Sequence, residues 1–376
     1  MTGCLRLLVL PVKLRDFGGA QVDINELLKT VIEKEASDLH LKVGSSPCLR
    51  IHGELVNLEL DPPTPEEVER LANSIMDERQ QEKFQQENVA DFAYNLPGIA
   101  RFRVNVYRER GWASMAFRHV KSENLDVKTL NLPETILKLA DEPRGLVLVT
   151  GTAGSGKSTT LAALIDHINR TRRAHVVTIE DPIEFVHEDK ESIISQREIG
   201  TDTDSYVAAL KNVVRQDPDV ILIGEMRDLD TVRAALNAAE IGHLVLSTLH
   251  TIDATETINR IIDFFPPYQQ SQIRIMMAAT LKGIISQRLL SQTDGGLIPA
   301  VELMITTQTI REYIINEKET YMIKDAIEQG DYYGMQSFEQ CLLGLYQEEK
   351  ITLDDAVSTA SNSEDFKIRV KQMGLV

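Results

Sequence analysis

Gly151, Thr152, Ala153, Gly154, Ser155, Gly156, Lys157 and Ser158 follow one another in the order of a Walker A loop, and Thr159 opens the segment beyond. The three glycines let consecutive backbone N–H groups curl around phosphate oxygens with no Cβ in the way. Lys157 has the reach to address β- and γ-phosphates, and the Ser158 hydroxyl suits a magnesium ion. A glycine-rich turn by itself is more often only a tight loop. Here an apolar run, G-L-V-L-V-T over 145–150, leads in as a strand, and Thr159–Asn169 leads away at helical spacing. That order aims the positive end of a helix at the same anion. The chemistry is nucleotide binding, with ATP and Mg²⁺ as the expected ligands.

Hydrolysis needs acids at a second strand end. D-P-D-V-I-L-I-G-E-M-R-D over 217–228 places Glu225 just past the buried run Val220–Ile223, where ligands collect in open α/β sheets. Glu225 is the expected residue for polarising the attacking water, and together with Ser158 and Glu180 for holding the metal. Glu180 ends the run Val176–Ile179, and its alternative is a solvated strand-to-loop junction. His243 and His250 flank a third strand in G-H-L-V-L-S-T-L-H-T; the pair reads as catalytic or phosphate-sensing, each alone as structural. Added positive charge on the transferring phosphoryl group is also required. Arg103 and Arg118 are candidates for this, among further arginines at 101, 108 and 110. Surface salt bridges on a solvent-facing sheet account for any one of them equally well.

Two kinds of element must carry these groups. Between residues 23 and 120 the apolar pattern gives a helix from Asn25, strands around Leu39–Val43, Cys48–Leu55 and Val56–Leu60, a helix from Thr64, and alternating strands at Arg101–Arg108 and Trp112–Val120. That is an α+β domain on an antiparallel sheet. Residues 121–131 read as a polar linker. From 132 to 298 apolar strands alternate with helices, the grammar of a parallel sheet covered on both faces. Residues 299–376 read as helical, around Gln308–Asn316, Tyr321–Gln329, Ser337–Tyr346 and Thr352–Ala360. Residues 1–22 read as a disordered or artefactual extension.

The 57 acidic and 40 basic residues among 376 leave a net charge of −17, which argues against a general nucleic-acid or anionic-membrane binder. Three scattered cysteines fit neither a zinc site nor a disulfide framework and suit a reducing cytoplasm. No apolar stretch approaches the roughly 20 residues of a membrane span.

With these residues laid out, the chain resembles the secretion ATPases of type II secretion and type IV pilus systems, and within them the pilus retraction motors. The likeness runs from about Asp23 onward. Beside the Walker A box it rests on T-I-E-D-P-I-E-F over 178–185 as the Asp box, 219–228 as the Walker B box, 242–251 as the His box, and A-S-D-L-H-L over 36–41 as the N-terminal signature. The resemblance implies a PAS-like N-terminal domain, a RecA-like P-loop ATPase domain with a helical C-terminal region, and a homo-hexamer whose neighbouring subunits help complete each site. It also implies work at the cytoplasmic face of the inner membrane against a PilC-like platform protein, alongside a paralogous pilus ATPase, with no nucleic-acid partner.

Retraction motors carry an A-I-R-N-L-I-R segment; the matching stretch over 309–315 agrees only at Ile310, Arg311 and Ile314. An accessory PilU-like motor therefore stays open beside retraction. The extension and secretion ATPases carry a four-cysteine zinc element that three scattered cysteines do not supply. A helicase-type nucleic-acid motor and a nucleotide-dependent regulator are the other classes, the first disfavoured by the acidic balance.

Overall fold

The computed structural model describes residues 23–51, 53–120 and 125–375. The expected extension 1–22 and the first four residues of the expected linker lie outside these. The described residues form two compact units that divide near residue 122.

The first unit opens with a helix, Ile24–Glu33, started by the Asp23 side chain, which accepts from the Asn25 N–H. Its strands are β1 Asp38–Lys42, β2 Ser45–Ile51, β3 Glu54–Asn57, β4 Val89–Leu96, β5 Ala100–Glu109 and β6 Trp112–Val120. They lie in the order β3-β2-β1-β6-β5-β4, every pairing antiparallel. Between β3 and β4 come helices Pro65–Ile75 and Glu78–Glu87, each begun by a reciprocal capping box, Thr64 with Glu67 and Asp77 with Gln80. Period-two alternation sends Phe102, Val104 and Val106 of β5 and Met115 and Phe117 of β6 into the core with the helices' apolar faces. Burying each such side chain contributes about 1.5–3 kcal/mol. The intervening residues face outward, and register sets Arg103 directly opposite Arg118.

The second unit carries β7 Gly145–Thr150, β8 His175–Glu180, β9 Ile193–Glu198, β10 Val220–Ile223, β11 Leu244–Leu249, β12 Leu281–Ser291 and β13 Leu297–Ile305. Their order is β13-β12-β7-β11-β10-β8-β9, parallel throughout except for the β12–β13 hairpin. Every residue of β7, β10 and β11 is buried, which is why these strands read as unbroken apolar runs. Leu146, Leu148, Ile221, Ile223 and Val245 join a core with helices Leu229–Ile241, Ala254–Asp263 and Pro267–Thr280. The helix Lys157–Thr171 packs on β7 and β11.

The sheet continues past the expected boundary at 298. β13 runs to Ile305 because Pro299–Ile305 is an apolar run with a single acid, paired residue for residue with β12. The helical region begins at Gln308–Ile315 and ends with Ser363–Gln372, and its later helices close a smaller core around Phe338, Leu342, Phe366 and Val370. Among the described residues no helix is long and apolar enough to cross a membrane.

Candidate nucleotide-hydrolysis site

The loop Gly151–Gly156 joins β7 to the helix that starts at Lys157. Its first residue must be glycine. Gly151 has φ +144°, and a Cβ there would lie 2.4 Å from both the Gln287 carbonyl oxygen and Ser155 Oγ. Gly156 caps the helix at φ +90°, in the left-handed region. Thr152, Ala153, Gly154 and Ser158 are exposed, and Ser155 is buried. Lys157 Nζ donates to the carbonyl oxygens of Gly151 and Thr152, both at 2.8 Å. The loop is fixed from behind by β12: Thr150 Oγ1 donates to Ser286 Oγ at 3.0 Å, and the Gln287 amide bonds Thr160 Oγ1.

Strand order decides what the loop meets. β11 lies between β7 and β10, so the carboxyl end of β11 brings His250 between the products of its two neighbours. His250 Nδ1 lies 3.5 Å from Lys157 Nζ, and its Nε2 lies 3.3 Å from Glu225 Oε1. The ammonium can only donate and the carboxylate only accept. The tautomer protonated at Nε2 therefore serves both neighbours. The Glu225 side chain is 16% exposed against 46% for His250, so the imidazole is the wetter link.

Glu180 comes to the same edge. β8 pairs with β10 at Ile179↔Ile223, which places Glu180 at the end of β8 and Glu225 just beyond the end of its neighbour β10. Glu180 Oε1 accepts from Thr178 Oγ1 at 2.6 Å and Gln196 Nε2 at 3.2 Å. The Thr248 hydroxyl donates to the Gly224 carbonyl at 2.7 Å, tying β11 to the turn before Glu225.

Two residues at this edge escaped the sequence reading. Arg227 Nη2 pairs with Glu225 Oε2 at 2.8 Å, a contact that holds the guanidinium above its ordinary range. Its only local signal is its place two residues after Glu225. Tyr206 comes from the helix Tyr206–Val213, with its hydroxyl 2.9 Å from where a Cβ on Gly224 would stand. Burial, then the nearby Asp181 carboxylate, pushes its phenol well above the usual value. Nothing local to Tyr206 foretells that position.

His243 is a correction. It precedes β11 at the amino end, where its Nδ1 meets the Pro218 carbonyl at 2.8 Å and its carbonyl accepts from the Gly145 N–H. Six strand residues at about 3.3 Å each separate it by about 20 Å from the end that carries His250. His243→Ala should leave steady-state kcat for ATP within about twofold of wild type, surface-like in its cost. A tenfold fall in a folded variant would return it to the site.

Arg103 and Arg118 sit side by side on the outward sheet face of the first unit, each held by an acid of the neighbouring strand. Arg103 makes a two-point contact with Asp91 at 2.7 and 3.3 Å, and Arg118 Nε donates to Asp38 at 3.0 Å. Like charges directly opposite repel, and the two aspartates offset that.

Beside the phosphate loop lies a cavity of about 170 Å³, lined by Leu130, Leu132, Leu289, Leu297 and Pro299 together with Thr159 and Gln287. Its apolar walls next to the helix N-terminus suit a flat base with phosphates on the loop.

A parallel sheet, a glycine loop on a helix N-terminus and two acids at neighbouring strand ends define a P-loop ATPase. The chain belongs to the type II/IV secretion system protein family, whose model matches residues 13–296. It is 44% identical over 345 residues to the type IV pilus retraction ATPase PilT of Pseudomonas aeruginosa, covering 92% of this chain and all of that one. It is 36% identical over 351 residues to the type IV pilus ATPase PilU of the same organism, covering 93% and 92%. The crystal structure of the pilus retraction motor PilT with bound ADP superposes with a TM-score of 0.86 at 44% identity, covering 92% of this chain and 98% of that one.

Proposed function

We propose that the chain hydrolyses ATP to drive type IV pilus retraction and twitching motility. It would work as a homo-hexamer at the cytoplasmic face of the inner membrane, against a PilC-like platform protein. The observation that carries this reading is the likeness to PilT along its whole length, in sequence and in fold.

Within the site, the N–H groups of the loop from Gly151 to Gly156 cradle the phosphates. Lys157 exchanges its loop carbonyls for β- and γ-phosphate oxygens, and Thr159 with the apolar cavity receives the nucleoside. Ser158, Glu180 and Glu225 are the oxygen donors for Mg²⁺. Among the described residues no cluster of three or more acids, histidines and cysteines could cage a metal alone. Ser158 is exposed, and the carboxylates of Glu180 and Glu225 lie at neighbouring strand ends, oxygen donors of the kind a hard cation takes. When bound there, the ion would supply charge neutralisation on the transferring phosphoryl group. Glu225 orients water and takes its proton, and His250 couples that acid to Lys157. Arg103 and Arg118 of a neighbouring protomer serve as fingers once their aspartates release them.

Deleting the gene should leave cells with excess surface pili and no twitching, counted by electron microscopy and stab-agar spreading. Bald cells would mean assembly instead. The accessory PilU-like reading keeps one specific support, the poor match over 309–315. A deletion strain that still retracts through a paralogous ATPase would favour it. No nucleic acid enters the proposal, and strong stimulation of ATP hydrolysis by single-stranded DNA would sink it.

A further inference from the structure

Glu302 is an acid with no assigned task. It lies on β13 with 4% of its surface exposed, opposite Ser286 of β12. Its Oε1 accepts from the Ala254 N–H at 2.9 Å. Ala254 opens the helix Ala254–Asp263, four residues after His250. An orphan helical N–H thus finds its partner on a distant strand.

Apart from the contacts of His250 with Lys157 and Glu225, the loop's other side-chain bonds stay within it and its helix. Thr251 Oγ1 meets Thr257 Oγ1 at 2.6 Å, and Thr257 Oγ1 donates to the Asp253 carbonyl. Ile252 N–H donates to Glu256, and Glu256 N–H to Asp253. These bonds make the loop and first helical turn one rigid piece. The Glu302 bond fastens that piece to the sheet.

We propose that Glu302 is a positioning residue for the ATPase reaction: from β13 it holds the loop whose first residue is His250, and so sets the imidazole between Lys157 and Glu225. The proposal rests on His250 serving the site as described above. A carboxylate at a helix N-terminus makes a stronger, charge-assisted bond than a neutral acid. Three charges surround it: Asp253 on the loop, Glu339 on the helix Phe338–Gln347, and Arg288 on β12. Arg288 is engaged elsewhere, donating to the Thr359 carbonyl and lying 3.9 Å over the Phe338 ring. Burial, with Asp253 and Glu339 adding to it, raises the carboxyl from an ordinary 4.5 to about 7. The anchor is therefore fully charged only above neutral pH.

The test uses the full chain, with kcat and KM for ATP measured from about pH 6 to 8, the window around that carboxyl. Glu302→Ala should lower kcat about tenfold or more with KM within about twofold, because a misplaced imidazole slows chemistry and not binding. Glu302→Gln keeps a neutral oxygen acceptor for Ala254 and should hold kcat above the alanine variant, near the level expected of wild type at the acid end, without the rise through pH 7 expected of wild type. A folded Glu302→Ala with wild-type kcat would overturn the proposal. So would a Glu302→Gln profile superimposable on wild type, which decides the matter even if the alanine variant does not fold. His250→Ala separates the two readings. Unchanged kcat there removes His250 from the site, whereas an impaired His250→Ala beside an unimpaired Glu302→Ala removes only the anchor.

Discussion

Glu225→Gln should lower steady-state ATP hydrolysis by about 10²–10⁴-fold, the usual worth of a positioned general base, with nucleotide affinity nearly unchanged. The amide is isosteric, and its oxygen can still accept from His250 Nε2, 3.3 Å from the native carboxylate. The Walker loop, its lysine and the apolar cavity are untouched, so binding persists. What disappears is the negative charge that pairs with Arg227 at 2.8 Å and that the proposed mechanism uses to take the proton of water. Phosphate release and titration with a fluorescent ATP analogue measure the two quantities separately. Wild-type turnover would strip Glu225 of the role; loss of both turnover and binding would make it part of the nucleotide cradle instead.

Gly151→Ala should cost both stability and binding. A methyl there meets the backbone oxygen of Gln287 at 2.4 Å, in the middle of β12, and a strand carbonyl cannot step aside as a side chain can. At φ +144° the alanine is also strained. Strain of about 1–3 kcal/mol adds to overpacking of about 1–3 kcal/mol. The loop will move to relieve it, and ATP affinity should fall by about a hundredfold, near 3 kcal/mol. Gly154→Ala is the control. Nothing lies within 4 Å of its added Cβ, and φ +77° leaves a left-handed penalty of about 1–2 kcal/mol. Thermal unfolding and nucleotide titration of both variants check the contrast. Equal melting and equal affinity for the two would refute the steric account.

Much of the fold was legible because its buried strands carry their own signal. Val220–Ile223 and Leu244–Leu249 are apolar at every position or nearly so, and both lie where their composition places them. β4, β9, β12 and β13 announce themselves less plainly. β9 is I-I-S-Q-R-E, polar at four of its six positions, with one neighbour, β8, in the sheet. β12 follows a helix with nothing between to punctuate the change of period. Its partner β13 then looked like the start of the helical tail.

The site was legible in its parts and not in its assembly. Gly151–Ser158 and Glu225 announce themselves by local order, whereas the link through His250 exists because the fifth strand of the second unit, β11, inserts beside the first, β7. Spacing along the chain carries no record of that insertion. The opposite holds for His243: seven residues from His250 across one strand, it had to fall at the other edge, and strand rise alone was enough to say so.

The helix Pro267–Thr280 ends where β12 begins, at Leu281, with no connecting residue between them. A loop would absorb displacement as torsional slack, whereas a helix joined directly to a strand passes most of it on. β12 carries Gln287, whose amide grips Thr160 and whose carbonyl closes on Gly151. Any load that shifts this helix along its axis therefore arrives at the phosphate loop as strain, and bound phosphates pull back on the helix through the same joint.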